Sequence, residues 1–234
     1  MAKRYKNRRI LVFTDPHLPY CHPEAINFLA EQKEIYKPDR VVCCGDLIDG
    51  YNASQYLKDP DHPHSALTEL GQVCSMMKTL GELFPKLLLV WGNHDARHEV
   101  AMKRAGLSSK YLKSVNEIFN IPNGWKIKKE HRLTVDNKWR TRILFKHYSG
   151  ANSLTEAERC GCCYVQGHAH KKCNIQWTSD GKSLIFGMNV PSLISDIGCP
   201  YSYDKLSNQR PVRGCAVIID GVPHIIPLGK IGWR

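Results

Sequence analysis

Five short segments gather Asp, Asn and His at close spacing: Asp15-Pro16-His17, Gly45-Asp46-Leu47-Ile48-Asp49, Gly92-Asn93-His94-Asp95, a lone His147, and Gly167-His168-Ala169-His170. Carboxylate, amide oxygen and imidazole suit hard or borderline divalent cations, and the lack of thiolate in these segments argues against a soft-metal site. Seven side chains, Asp15, His17, Asp46, Asn93, His147, His168 and His170, are more than one tetrahedral ion needs. Two divalent ions sharing a carboxylate would use them all, with Mn the expected metal and Mg, Ni, Fe or Zn as alternatives. A pair of ions about 3.5–4 Å apart can hold a phosphate oxygen, lower the pKa of a water between them and stabilise the attacking and leaving oxygens of an in-line displacement.

Such a site needs elements that deliver all five segments to one place. Each polar segment follows an apolar run. The pattern predicts strands over Arg9–Thr14, Arg40–Gly45 and Leu87–Trp91, alternating with helices near Glu24–Tyr36 and Ser65–Leu80. Short apolar strands alternating with helices are the signature of a largely parallel, covered sheet. The polar groups then collect at the carboxyl rim of the strands, where open α/β sheets bind ligands. The glycines let the backbone turn sharply there. Residues 97–120 read as helical, with Ala101, Ala105, Tyr111, Leu112, Val115 and Phe119 on the apolar side. Strands are expected at Trp125–Lys129, Leu133–Val135 and Trp139–Phe145, with a turn at Asp136-Asn137. A short helix runs from Ser153 to Arg159, Ser153 and Glu156 forming its capping box, and Cys163–Gln166 is a strand. Two hairpins follow, Asn174–Thr178 with Ser183–Gly187 through Asp180-Gly181, and Gly214–Asp220 with Val222–Pro227 through Asp220-Gly221. The expected fold is an α/β sandwich with a mixed central β-sheet core flanked by helices. One domain over residues 1–234 accommodates it, with 97–142 a basic helical and hairpin segment resembling an insertion.

Taken together and in order, Asp-x-His, Gly-Asp-x-x-Asp, Gly-Asn-His-Asp, a lone His and Gly-His-x-His resemble the motifs of the calcineurin-like metallophosphoesterases. That resemblance implies a binuclear-metal phosphoesterase with a calcineurin-like fold. It implies that Asp15, His17 and His170 bind one metal and that Asn93, His147 and His168 bind the other, with Asp46 bridging. By the same resemblance His94 contacts the scissile phosphate and protonates the leaving oxygen, while Asp49 and Asp95 orient neighbouring histidines. The stretch Pro38-Asp39-Arg40-Val41-Val42, and the one from Phe186-Gly187-Met188 to Asp196, are similar to small bacteriophage phosphoesterases, which implies the host cytoplasm as location. Two departures bear on substrate. Gly50 follows Asp49 where the family's protein phosphatases carry Arg-Gly, and Asp95 follows His94 where they carry Glu; Asn-His-Asp is more like the family's nucleases and phosphodiesterases. Tyr148 stands where Gly normally follows the lone His.

Arg97 and His98, just after Asn93-His94-Asp95, are close enough in sequence to reach a substrate phosphate. The chain of 234 residues carries 33 Lys and Arg against 22 Asp and Glu, which points to a polyanionic partner. The excess is regional: residues 97–146 hold 13 Lys and Arg against 4 Asp and Glu, and Lys3, Arg4, Lys6, Arg8 and Arg9 crowd the start. Trp125 and Trp139 interleave with the cations, an arrangement that can stack bases while tracking phosphates, although a strand Trp can equally belong to a core. The expected reaction is therefore phosphodiester hydrolysis on nucleic acid, DNA or RNA, or on nucleotides. The alternatives are a phosphomonoesterase acting on phosphoprotein or small molecules, and a nucleic-acid-binding module with a vestigial metal site.

No apolar run approaches the ~20 residues needed to cross a bilayer, the longest being Leu87 to Trp91, so no membrane partner is expected. The basic start meets only Ile10 to Phe13 before Asp15, which argues against a secretory leader and for the cytoplasm. The ten cysteines then read as thiols rather than a disulfide framework. Cys160, Cys162, Cys163 and Cys173 contain one Cys-x-x-Cys pair without a second at zinc-ribbon spacing, and Cys43 and Cys44 read as small hydrophobes. The motifs leave oligomeric state open.

Overall fold

In the structure, a computed structural model, the described residues are 8–56, 58, 62, 64–108, 110, 113–148, 150, 152–179, 181, 183–195 and 210–229. Lys3, Arg4, Lys6, Tyr111, Leu112, Asp180 and Asp196, used in the sequence reading, lie outside them.

Two mixed sheets face each other. The first has the order β11-β10-β1-β2-β3-β4. Its strands β1 (Arg9–Phe13), β2 (Arg40–Cys43), β3 (Leu88–Val90) and β4 (Lys126–Lys128) run parallel, and β10 (Gly214–Ile219) and β11 (Val222–Pro227) add an antiparallel edge. The second has the order β5-β6-β7-β9-β8. There β6 (Arg142–Lys146), β7 (Cys163–Gln166) and β9 (Leu184–Asn189) run parallel, bordered by antiparallel β5 (Glu130–Thr134) and β8 (Asn174–Ser179). The mixed core expected from the sequence is thus split over two sheets.

Alternation along β1 explains the stacking, because successive side chains of a strand point to opposite faces. Ile10 and Val12 join Val42, Val90, Phe145, Val165 and Phe186 between the sheets. Leu11 and Phe13 face the other way, toward helices α1 (Ala25–Tyr36) and α2 (Ala66–Leu83), where Phe28, Leu29, Val73 and Met77 cover them. The outer face of the second sheet is covered by α5 (Ser153–Cys160), with Ala157 packed on Leu144 and Tyr164. Cys43 and Cys44 are fully buried, one in each core, as small hydrophobes.

Three local expectations are corrected. The region 97–120 is not one helix: α3 (Arg97–Arg104) ends before Gly106, which sits at φ 70°, and α4 (Val115–Ile118) restarts at Ser114. The capping box lies there, between Ser114 and Glu117. At α5 the cap is instead Asn152, whose side chain accepts from the N–H groups of Leu154 and Thr155, while the Ser153 hydroxyl accepts from Asn189. The strand expected from Trp139 begins only at Arg142, because Asn137 and Thr141 close a turn that leaves Trp139 outside the ladder.

Candidate metal centre

Parallel strands place their carboxyl ends on one edge, and the site residues follow those ends in both sheets. Asp15 and His17 follow β1, Asp46 follows β2, Asn93 and His94 follow β3, His147 follows β6, and His168 and His170 follow β7. The chain leaves these strands through left-handed backbone carried by the site residues themselves: Asp15 (φ 51°), His17 (φ 50°), Asp46 (φ 48°) and His168 (φ 66°). Asp and His tolerate that region better than most residues, and such conformations concentrate at functional sites.

Two groups of ligand atoms result. In the first, His17 Nε2 lies 3.1 Å from His170 Nε2, and Asp15 Oδ1 lies 3.1 Å from His170 Nε2 and 3.7 Å from His17 Nε2. In the second, His147 Nε2 lies 3.1 Å from Asp46 Oδ2, 3.0 Å from Asn93 Oδ1 and 3.3 Å from His168 Nδ1. Asp46 Oδ2 is also 3.8 Å from His17 Nε2, so one oxygen borders both groups. All seven residues expected to bind metal are brought together.

The donor set fits divalent cations. Ligand atoms about 2.1 Å from an ion lie about 3.0–3.4 Å apart in octahedral or tetrahedral arrangements, close to most of these spacings. The tautomer of each neutral ring is set as well: His17 Nδ1 donates to Asp49 Oδ1 (2.9 Å) and His147 Nδ1 donates to the Cys44 carbonyl (2.8 Å), so deprotonation frees the Nε2 lone pair toward its group. Asp15 Oδ2 accepts from the Thr14 hydroxyl (2.5 Å) and the His168 N–H (2.8 Å), and Asp46 Oδ1 accepts from the His94 N–H (2.8 Å). In both carboxylates one oxygen is held by its neighbours and the other is turned to the ligand group.

Beside the groups, His94 Nδ1 lies 3.1 Å from both the carbonyl and the Oδ1 of Asp49, and its Nε2 receives Arg97 Nη2 at 3.0 Å. Arg97 Nη1 also donates to the Asp49 carbonyl at 2.9 Å. Asp49 thus contacts the Nδ1 atoms of both His17 and His94. Asp95 does not orient a histidine: fully buried, it accepts from the backbone N–H groups of Ile48 (2.9 Å) and Gly92 (2.8 Å) and braces the loops after β2 and β3. His98 lies to the side of these contacts. Its ring packs edge-on against Phe119, with a centroid separation of 4.7 Å, beneath Gly50.

Burial opposes charge on all these groups, yet their mutual contacts dominate. Burial disfavours charge on His17, but the carboxylates of Asp15, Asp49 and Asp46 around it raise it to about 10, and Asp46 raises the buried His147 to about 9. The same histidines hold Asp46 down at about 2 and keep Asp15 and Asp49 well below the usual carboxylate range. Asp95 goes the other way, pushed up to about 7 by burial and by the Asp46 charge. Burial and the His17 charge lower His94.

Sequence reasoning missed an aromatic cluster flanking the loops after β1 and β2. Tyr20 Oη meets His62 Nε2 at 3.0 Å, Tyr51 lies tilted against His62 with centroids 4.1 Å apart, and His64 lies edge-on to His62 at 5.5 Å. Read singly, His62 and His64 are loop residues; no spacing in the sequence joins them to Tyr20.

Fold and site together define a metallophosphoesterase. The pattern described as calcineurin-like phosphoesterase matches residues 8–184, and the chain belongs to that family, which is binuclear-metal dependent. No curated protein matches the chain in sequence. Among solved structures, the phosphoesterase Yfce from E. coli is similar with a TM-score of 0.50 and 15% identity, covering 94% of this chain and 92% of its own. Vacuolar protein sorting 29 from Cryptosporidium parvum has a TM-score of 0.46 at 14% identity, covering 93% of this chain and 95% of its own. The nuclease MPE from Pseudomonas putida has 0.43 at 13%, covering 94% and 88%.

Proposed function

We propose that the chain hydrolyses phosphodiester bonds of nucleic acid or nucleotides at a two-metal centre, with Mn the expected ion. The observation that carries this reading is the position of Asp46 Oδ2, 3.1 Å from His147 Nε2 and 3.8 Å from His17 Nε2, where one carboxylate serves both ligand groups. Asp15, His17 and His170 would hold one ion and Asn93, His147 and His168 the other. Bound there, two divalent ions supply Lewis acidity toward a phosphate oxygen and toward water.

The remaining roles belong to the protein. Asp49 fixes the His94 ring through Nδ1, so Nε2 is the atom turned toward the leaving oxygen, and it can carry a proton there once Arg97 shifts from Nε2 to the phosphate and the ring is protonated. Arg97, already hydrogen-bonded to that Nε2, places a guanidinium where a non-bridging phosphate oxygen would compete for it. One added positive charge suits the single negative charge of a diester. The Asn-His-Asp sequence and the regional basic excess favour the same class.

With Mn²⁺ present, the protein is expected to hydrolyse bis(p-nitrophenyl) phosphate with a higher kcat/KM than p-nitrophenyl phosphate. A strong reverse preference would replace the diesterase reading with the phosphomonoesterase one.

A further inference from the structure

The tryptophans of the basic segment have different fates. Trp125 belongs to the core, its Nε1 donating to the Phe84 carbonyl at 2.8 Å. Trp139 is 77% exposed at the tip of the β5–β6 connection. That tip is a built structure. Asn137 accepts from the Thr141 N–H (3.1 Å) and donates to the Thr141 hydroxyl (2.9 Å) and to the Asp220 carbonyl in the β10–β11 turn (2.7 Å). Gly221 permits this docking: a Cβ there would come within 2.8 Å of Asn137 Nδ2 and 2.9 Å of Thr141 Oγ1. Arg140, held at φ 51°, bonds back to the Asn137 carbonyl at 3.1 Å.

The docked tip forms one wall of a cleft of about 720 Å³, lined by Trp139, Arg140, Arg142, Trp177, Leu184 and Asp220 among others. Trp177, on β8, contributes a second indole, 42% exposed and edge-on to Phe186 at 5.2 Å. The Asp220 carboxylate is paired with Arg8, which leaves the guanidiniums of Arg140 and Arg142 to set the sign of the cleft, and Lys138 sits 5.9 Å from the Trp139 ring. The cleft is remote from the ligand groups. Arg142 opens β6 and His147 follows its end, five residues on, or about 16 Å of extended strand.

We propose that this cleft is a second binding site, taking single-stranded nucleic acid by stacking unpaired bases on Trp139 and Trp177 while Arg140 and Arg142 hold the backbone phosphates. Indole faces give sequence-tolerant stacking, and cations beside them track the strand. A duplex does not offer its base faces, which selects single strands. An acidic peptide would match the charge but does not alternate an aromatic ring with an anionic group at every unit, as a single strand of nucleic acid does. The proposal goes beyond the diesterase reading, because binding here needs neither metal nor hydrolysis.

The test is anisotropy of a fluorescein-labelled phosphorothioate oligothymidylate titrated with the Mn²⁺-loaded protein. Replacing both Trp139 and Trp177 by Ala is expected to weaken binding about tenfold or more, whereas Phe at both positions keeps most of the affinity. The pair Arg140→Ala and Arg142→Ala is expected to reduce the log–log salt slope by roughly 1.4, two phosphate contacts on a single strand. Turnover of bis(p-nitrophenyl) phosphate stays unchanged in every variant, so a wrong diesterase reading would show in the wild type and not here. Unchanged affinity in the Ala variants overturns the proposal. Equal losses with Ala and Phe, or competition by polyglutamate as effective as by unlabelled oligothymidylate, overturn it as well.

Discussion

Asp15 and Asp46 each commit one oxygen to neighbouring donors and leave the other facing imidazoles, so the ligand groups are rigid but electrically unbalanced without cations. Protons restore the balance: His17 is raised to about 10 and His147 to about 9 from an ordinary value of 6.5. A histidine raised in the fold contributes stability that is full below its unfolded pKa and is lost as pH climbs through the folded one. The metal-free protein should therefore lose stability between pH 6.5 and about 10, while Asp46, depressed to about 2, gives up its share only in acid. Metal needs the same nitrogens deprotonated, so it gains as the protons leave. Thermal melts of Mn²⁺-loaded and EDTA-treated protein are expected to diverge progressively from pH 6.5 upward. A gap that stays flat or narrows would show that these rings do not exchange protons for metal. The types and spacing of the seven candidate ligands were legible in the sequence. That the ligands themselves carry the left-handed turns, and that Asp95 braces backbone rather than a ring, was not, because both depend on how two loops from different strands meet.

At the level of elements, strands β1, β2, β3, β6 and β7 were readable because each is a short apolar run ending in Gly, Asp or His. The break between α3 and α4 was not, since α3 buries none of its residues and its periodicity reports no core contact. Glycines separate the site's demands from ordinary propensity. At Gly92, after β3, a Cβ would overlap the Asp46 carboxylate and its backbone nitrogen. Gly92→Ala is expected to displace that shared ligand and lower kcat/KM about 100-fold, the scale of a 1 Å misplacement at a catalytic centre. Gly71, exposed in α2, has open space around it. Gly71→Ala should stabilise the fold by about 0.5–1 kcal/mol through helix propensity, with activity unchanged. Denaturant midpoints and turnover for the two variants check the pair; equal effects would mean that Gly92 is only another structural glycine.

The whole molecule is a sandwich whose two sheets offer their strand ends on one edge, and neither sheet alone carries both ligand groups. The first sheet supplies Asp15, His17, Asp46 and Asn93; the second supplies His147, His168 and His170. The α/β sandwich with a mixed core was legible, whereas its division into two stacked sheets was not, because local sequence patterns show strands but not which sheet each joins. The regional charge divides as well: Arg97 reaches the Asp49–His94 pair, while Arg140 and Arg142 lie at the far end of β6. In the proposed two-metal centre, Asp46 joins the two groups into one. Calorimetric titration of Mn²⁺ into the metal-free protein tests it most directly, with Asp46→Ala titrated alongside. Two ions per chain are expected for the wild type, with both sites weakened by the single substitution. One ion per chain, or loss of a single site in Asp46→Ala with the other unaltered, would contradict a shared carboxylate.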